Sequence, residues 1–311
     1  MAVLFLETIV FSIIGKHCSG LFSPSLYNNS HSKGNMTGIL FALTAALFWG
    51  SGDFSGGFAT RKANPFQVLA LSAIAGVVIL ATAALVAHET MPPETGILWS
   101  LLAGLSGAVG ITSLYTALSR GNAAAVAPIS AVLGAAIPVG FTFLLRGSPA
   151  VLQVVGFGLA FIGIWLVSRS TQVEGKKTNS QLGLAFLAGA GFGGYFLFIG
   201  QVESSGVFIP LLIARGVMFL SALLILAFKR LPFPSLRGNP IAPLAGVLDA
   251  AGNVFFLLAI SYSRLDFAVV ISSLYPAVTV LLAAFLLKEK VGMWQKAGVV
   301  LCLAAIFLIS L

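Results

Sequence analysis

From residue 38 onward, long apolar runs alternate with short polar interruptions. Ten runs can be read, at 38–59, 66–87, 97–118, 123–145, 151–168, 182–201, 209–228, 241–262, 267–287 and 294–311. A helix needs roughly 20 apolar residues to cross the hydrocarbon core of a bilayer, and these runs have that length. Spanning β-strands of about ten alternating residues would be shorter and broken by polar positions. The pattern predicts an all-α integral membrane protein with ten transmembrane helices. Its punctuation is polar and brief: Arg61-Lys62-Ala63-Asn64-Pro65, Arg120-Gly121-Asn122, Arg146-Gly147-Ser148-Pro149 and Lys288-Glu289-Lys290. Residues 1–35 differ. The apolar stretch 2–15 is short, contains Glu7 and lacks the basic start and cleavage site of a signal peptide, whereas 19–35 is rich in Ser, Asn and Gly. The expectation is a disordered or interfacial tail, with Met36 as an alternative natural start.

Sliding the chain against itself by 142 residues aligns Leu102-Ala103-Gly104 with Leu244-Ala245-Gly246, and Phe143-Leu144-Leu145 with Phe285-Leu286-Leu287. The same shift aligns Gln153 and Gly156 with Gln295 and Gly298. The expected organisation is a first five-helix repeat at 36–170, a cytoplasmic linker at 171–181 and a second repeat at 182–311. An odd number of crossings per unit turns the second repeat upside down. Two inverted repeats around a midplane site are the architecture of secondary transporters; a duplicated scaffold or channel is the bland alternative.

Composition sharpens this. Of 311 residues, 58% are hydrophobic and 8% charged, with a mean hydropathy of +1.03. A soluble domain carries about 25% charged residues, so a water-soluble enzyme is excluded, and so is a disordered chain. The net charge of +8 does not imply nucleic acid as a partner, because the 17 Lys and Arg lie mostly between the apolar runs. Basic loops mark the cytoplasmic side. Twelve of these residues fall in the loops after the odd-numbered runs, against Arg146, Arg264, Lys16 and Lys33 on the other face. The count places the odd-to-even loops in the cytoplasm and both termini outside. Cys18 and Cys302 stand far apart and suggest neither a disulfide framework nor a metal site.

The segment Trp49-Gly50-Ser51-Gly52-Asp53-Phe54, together with Tyr275-Pro276, Phe285-Leu286-Leu287-Lys288-Glu289-Lys290, Gln295 and Gly298, resembles the drug/metabolite transporter superfamily in its ten-helix EamA-type branch. The resemblance runs from Met36 to Leu311. It implies an integral-membrane carrier of small metabolites, amino acids or toxic compounds, commonly an exporter. The sequence departs from the pattern at Gly147, where a Glu is expected, at Gly134, the counterpart of Pro276, and in having no arginine in the second helix.

Ionisable groups at membrane depth cost a few kcal/mol to insert and are functional candidates by default. Asp53, Arg215 and Asp249 each lie within roughly 4–7 Å of the middle of a run at 1.5 Å per residue. Asn253 follows Asp249 by four residues, hence on the same helical face. Trp49, Tyr115, Tyr195 and Tyr275 are placed to wall a cavity between the halves, although aromatic side chains in a bundle are more often packing. Bland readings stand beside each candidate: Asp53 paired with Arg61 or Lys62, Arg215 paired with Asp249, Asn253 bridging helices. Gly50, Gly52, Gly56 and Gly57 allow close approach or local unwinding, and Pro128, Pro138 and Pro276 predict kinks in helices four and nine. No metal-ligand spacing, nucleophile elbow or phosphate loop occurs, so neither a cofactor nor catalysis is expected. The expectation is a multi-pass carrier of the plasma membrane that exports a small-molecule substrate, amino-acid-like or amphipathic, with proton coupling. Asp53 or Asp249 is its titrating or cation-binding carboxylate, and Arg215 meets a substrate carboxylate. A non-transporting bundle or an intramembrane enzyme is the rival.

Overall fold

The computed structural model describes residues 36–119, 123–147, 149–168, 179–202, 206–288 and 292–310. The tail 1–35, most of the linker, Glu289 and the side chains of Tyr115 and Pro128 lie outside the described residues. Among the described residues there are eleven helical segments and no strand: α1 (Met36–Ala59), α2 (Pro65–Val86), α3 (Glu94–Ser119), α4 (Ala123–Arg146), α5 (Val151–Ser168), α6 (Asn179–Ile199), α7 (Phe208–Phe228), α8 (Ile241–Tyr262), α9 (Leu265–Ser272), α10 (Tyr275–Leu286) and α11 (Met293–Ser310). Nine stretches among them are long and apolar enough to cross a membrane, with α9 and α10 together forming one, and α4 adds a further apolar helix over Ile129–Leu145.

The ninth run is not one helix. Pro276 has no N–H to offer the carbonyl of Ser272, and the residue before a proline disfavours the helical region. The chain turns at Ser273 and Leu274, then restarts with Pro276 in the first turn of α10. Gly134 stands at the corresponding place in α4, which runs through unbroken. Other ends shift by a few residues: α3 begins at Glu94 and α6 at Asn179, because the polar first turn of a helix escapes a hydrophobicity count. Gly38, Gly50 and Gly52 of α1 serve close approach, and the helix is not unwound.

The halves interlock by a pseudo-twofold exchange. Helix α1 packs on α8 as α6 packs on α3; α1 meets α9 and α10 as α6 meets α4. Helix α2 touches α7 and α8 as α7 touches α2 and α3, while α5 pairs with α11. The tightest contacts repeat at the 142-residue shift. Gly104 lies against the backbone of Ala214, and Gly246 against that of Ser72, with no room for a Cβ at either. Likewise Gly156 meets Ile309 and the Ala305 carbonyl, and Gly298 meets Val167 and the Gly163 carbonyl. Small residues at such crossings let membrane helices gain van der Waals contact.

Helix ends follow the same shift, with one difference. Both α2 and α7 finish with a left-handed residue, His88 at φ 49° and Arg230 at φ 51°. Schellman-type bonds follow, from Glu89 N–H to Ala84 O (3.1 Å) and from Leu231 N–H to Leu226 O (2.9 Å). Helix α2 caps its own start: Asn64 Oδ1 accepts from Phe66 N–H at 3.0 Å, and Gln67 reaches back to Asn64 N–H. No side chain of its own caps α7. Its cap comes from the other half, where the Glu89 carboxylate accepts from the N–H groups of Val207 (2.6 Å), Phe208 (2.9 and 3.0 Å) and Ile209 (2.9 Å).

Candidate functional site

Between the halves lies a cavity of about 240 Å³. A single water needs only ~10–15 Å³ of cavity, so this one has room for a small solute. Asp53 and Trp49 of α1, Tyr195 of α6, Arg215 of α7, Asp249 and Asn253 of α8, and Tyr275 at the start of α10 all line it. Seven of the eight residues singled out in the sequence thus meet in one place, and the eighth is Tyr115. Leu69, Leu114, Ile111, Phe192 and Met218 supply an apolar wall.

The polar side chains form a chain across three helices. Arg215 Nη1 makes an ion pair with Asp249 Oδ2, and Arg215 Nη2 donates to Gly246 O at 3.2 Å. Asn253 Nδ2 donates to the Asp249 carbonyl (2.7 Å) and carboxylate (3.2 Å), and Tyr195 OH donates to Asn253 Oδ1 at 2.6 Å. Asn253 therefore bridges α6 and α8 while facing the cavity. Arg215 Nε is buried and has no hydrogen-bond partner among the described residues. The guanidinium abuts Gly76 of α2 with its Nε–Nη2 edge, where a Cβ would come within 2.5 Å of Nε. The Asp249 side chain keeps 39% of its surface open to the cavity, against 13% for Arg215.

Asp53 is the other acid on this wall. Neither a hydrogen bond nor an ion pair reaches its carboxylate among the described residues, and the side chain is open to the cavity. Pairing with Arg61 is not found; that guanidinium lies over the Phe58 ring at 5.6 Å. Gly52 brings α1 against the backbone of α8 at Ala245 and Asp249, which sets the two acids on facing helices. Trp49 lies on Gly252 and packs with Phe196, Phe256 and Tyr275, closing the cavity with an aromatic layer.

The two walls differ chemically. At the 142-residue shift, Arg215, Asp249 and Asn253 correspond to Ala73, Gly107 and Ile111, which also line the cavity. The second repeat carries Arg215, Asp249 and Asn253, and the first offers small and apolar surface at those counterparts together with its own acid, Asp53. The lining extends to Gly57 near the end of α1, Leu69 near the start of α2 and Leu114 near the end of α3. The cavity thus reaches toward the loops that follow α1 and α3, while α9 is buried at the opposite end.

Two charged residues escaped the sequence reading. Asp266, wholly buried at the start of α9, takes both Arg264 Nε (3.1 Å) and Nη2 (2.9 Å). Arg264 and Asp266 stand two apart at the edge of an apolar run, and that spacing was the available signal. Glu89 gave none, since its partners lie 118–120 residues further along the chain. Among the described residues, no group of three or more His, Cys, Asp or Glu is placed to hold a metal ion.

The sequence matches the EamA-like transporter family twice, over residues 36–169 and 179–311. It is 30% identical over 136 residues to an uncharacterized protein of Methanocaldococcus jannaschii, a match covering 43% of this chain and 98% of that one. That protein is therefore about as long as one repeat. A crystal structure of a protein of 16% identity superposes with a TM-score of 0.70, covering 88% of this chain and 96% of the other, and so shares the fold.

Proposed function

The chain belongs to the EamA-like transporter family, and we propose that it is a secondary carrier that exports a small amino-acid-like metabolite through the cavity between its repeats. The observation that carries the reading is the arrangement of charge: an Arg215–Asp249 pair and a second acid, Asp53, line one cavity, and the Asp53 carboxylate has no partner among the described residues. A zwitterion fits such a site. Its carboxylate displaces Asp249 from Arg215, its ammonium group goes to Asp249 or Asp53, and an apolar side chain lies along Ile111, Leu114 and Met218. An ion pair in low dielectric is costly to leave half-satisfied, so a solute that carries both charges replaces each lost contact. Differential affinity of that kind is what lets a ligand shift a conformational equilibrium.

With the basic loops in the cytoplasm, the cavity mouth faces the cytoplasm of the plasma membrane, as an exporter requires for loading. Asp53, free of protein partners among the described residues, is the carboxylate assigned to proton or cation exchange. A second reading, export of amphipathic cations, draws on the same apolar wall and acids and makes Arg215 dispensable.

The test is uptake into proteoliposomes holding the full chain, with apolar amino acids and lipophilic cationic dyes as probes. The amino-acid reading expects transport by the native protein and loss of at least tenfold in Arg215→Gln and Asp249→Asn. Dye transport that survives Arg215→Gln but not Asp53→Asn would replace it with the cation reading. Undiminished amino-acid transport in all three variants would remove the site.

A further inference from the structure

We infer that α9 is the gate at the closed end of the cavity and that Arg264, aimed by Asp266, is its lock. This rests on the carrier reading. All eight residues of α9 are buried. The segment is separated from α10 by the break at Ser273 and Leu274, and Ser273 faces the cavity. Helix α9 is thus a short, independently hinged piece lying between the cavity and the far end of the bundle.

Its other end is fastened across the two halves. Arg264 Nη2 donates to the carbonyl of Gly147 at 3.2 Å, at the end of α4 in the first repeat. Gly147 stands at φ 73°, in the left-handed region where a side chain is strained. Asp266 accepts from Arg264 Nε and Nη2 together and from Phe267 N–H at 3.1 Å, so the guanidinium is held as a fork with one edge turned to Gly147. A guanidinium that is 14% exposed and a carboxylate that is fully buried make this the most sequestered charge pair among the described residues. Because Arg264 and Asp266 belong to the same segment, their mutual pair survives any movement of α9. The segment also packs on α1 and α4, and Phe267 meets Phe157 of α5, so the bond to Gly147 is the hydrogen-bonded tie within a packed contact with the first repeat.

Repeat symmetry says what the movement is. The counterpart of α9 at the 142-residue shift is 123–130, the first part of α4. Its last residue, Ser130, lines the cavity on the open side. In a carrier of inverted repeats, exchange of conformation between the halves turns one open end into the other. Helix α9 then takes the place that 123–130 holds here. Asn122 and Ala124 stand where Arg264 and Asp266 stand, so this lock has no counterpart in the first repeat. The Glu89 cap belongs to the stationary part. Its equivalent, Leu231, stays packed near Phe66 and Leu226 at the open end, and Gln67 Nε2 still donates to Pro232 O there at 2.9 Å.

The experiment uses the full chain with Cys18 and Cys302 replaced by Ala and spin labels at Met91→Cys and Ser261→Cys, both on exposed positions of opposite halves at the closed end. Distances are read by double electron–electron resonance without any substrate. Arg264→Gln and Asp266→Asn are expected to add a longer-distance population, raising the open-to-closed ratio about tenfold, the equivalent of ~1.4 kcal/mol. Arg264→Lys, which keeps the charge but loses the fork, falls between; it decides the case if the other two do not fold. Glu89→Gln leaves the distribution as in the native chain. A distribution unchanged in every Arg264 and Asp266 variant that folds, with only a lowered melting temperature, would reduce the pair to a structural role and overturn the inference. The carrier reading fails separately, by absence of uptake in the native chain while the distances still respond to Arg264.

Discussion

Glu89→Ala isolates a single link between the repeats. In the native chain one carboxylate satisfies the first N–H groups of α7, those of Val207, Phe208 and Ile209. Its Schellman turn at His88 aims it there, and Gly206 leaves it room, since a Cβ at Gly206 would strike the carboxylate. Losing an ordinary N-cap costs about 0.5–2 kcal/mol. Hydrogen bonds to a charged group contribute about 1.5–3 kcal/mol net, and a carboxylate at a helix N-terminus gains ~0.3–1 kcal/mol from the dipole. These overlap, and a loss of about 3 kcal/mol follows for Glu89→Ala, because α7 has no cap of its own to fall back on. At 2–4 °C per kcal/mol for a large domain, the melting temperature falls by roughly 6–12 °C. Asn64→Ala is the internal standard. It removes an ordinary local cap from α2, worth about 1 kcal/mol and roughly 2–4 °C. Glu89→Gln lies between, since it keeps one acceptor and turns an amide N–H₂ toward backbone donors. Thermal unfolding in one detergent, followed by the helical circular dichroism band, compares all four proteins. A Glu89→Ala protein that melts no lower than Asn64→Ala would refute the trans-capping argument.

Two further outcomes are expected. Gly76→Ala sets a methyl group against Arg215 Nε and pushes the guanidinium off Asp249, so the half-saturation concentration for the transported solute rises about tenfold, equivalent to ~1.4 kcal/mol. Gly216→Ala, whose Cβ meets nothing within 4 Å, leaves it unchanged. A reporter fused after Leu311 that is active only outside the cytoplasm is expected to be active, as the distribution of basic loops requires; activity of a cytoplasm-only reporter there would reverse the orientation and overturn the proposed direction of transport.

Spans and repeats were legible because both are written in local composition. A run of apolar residues must become a helix in lipid, where no backbone group can be left unpaired. A 142-residue periodicity survives in glycine positions such as Gly104 and Gly246, since close helix crossings tolerate nothing larger. Asp53, Arg215 and Asp249 stood out for the opposite reason, being charges where charge is rare. What the sequence left open was partnership. Arg215 could be read as meeting a solute or as paired with Asp249, and only the fold shows the ion pair, with the guanidinium edge set against Gly76 on another helix. The break in the ninth run needed a specific comparison, Pro276 against Gly134, to be seen as more than a kink. Glu89 and Asp266 were hidden because they sit in or beside loops, where acids are ordinary. Their importance comes from partners fixed by the fold, an uncapped helix start and a forked arginine.

The central claim is a single cavity reached alternately from both faces of the membrane, and side-specific labelling of Met218→Cys tests it most directly. Met218 lies on the cavity wall of α7 against Gly107. In oriented proteoliposomes of a chain otherwise free of cysteine, an impermeant maleimide is expected to modify this position from either side. A transported amino acid should slow labelling from both sides. Modification from one face only, at a rate no solute alters, would contradict the account.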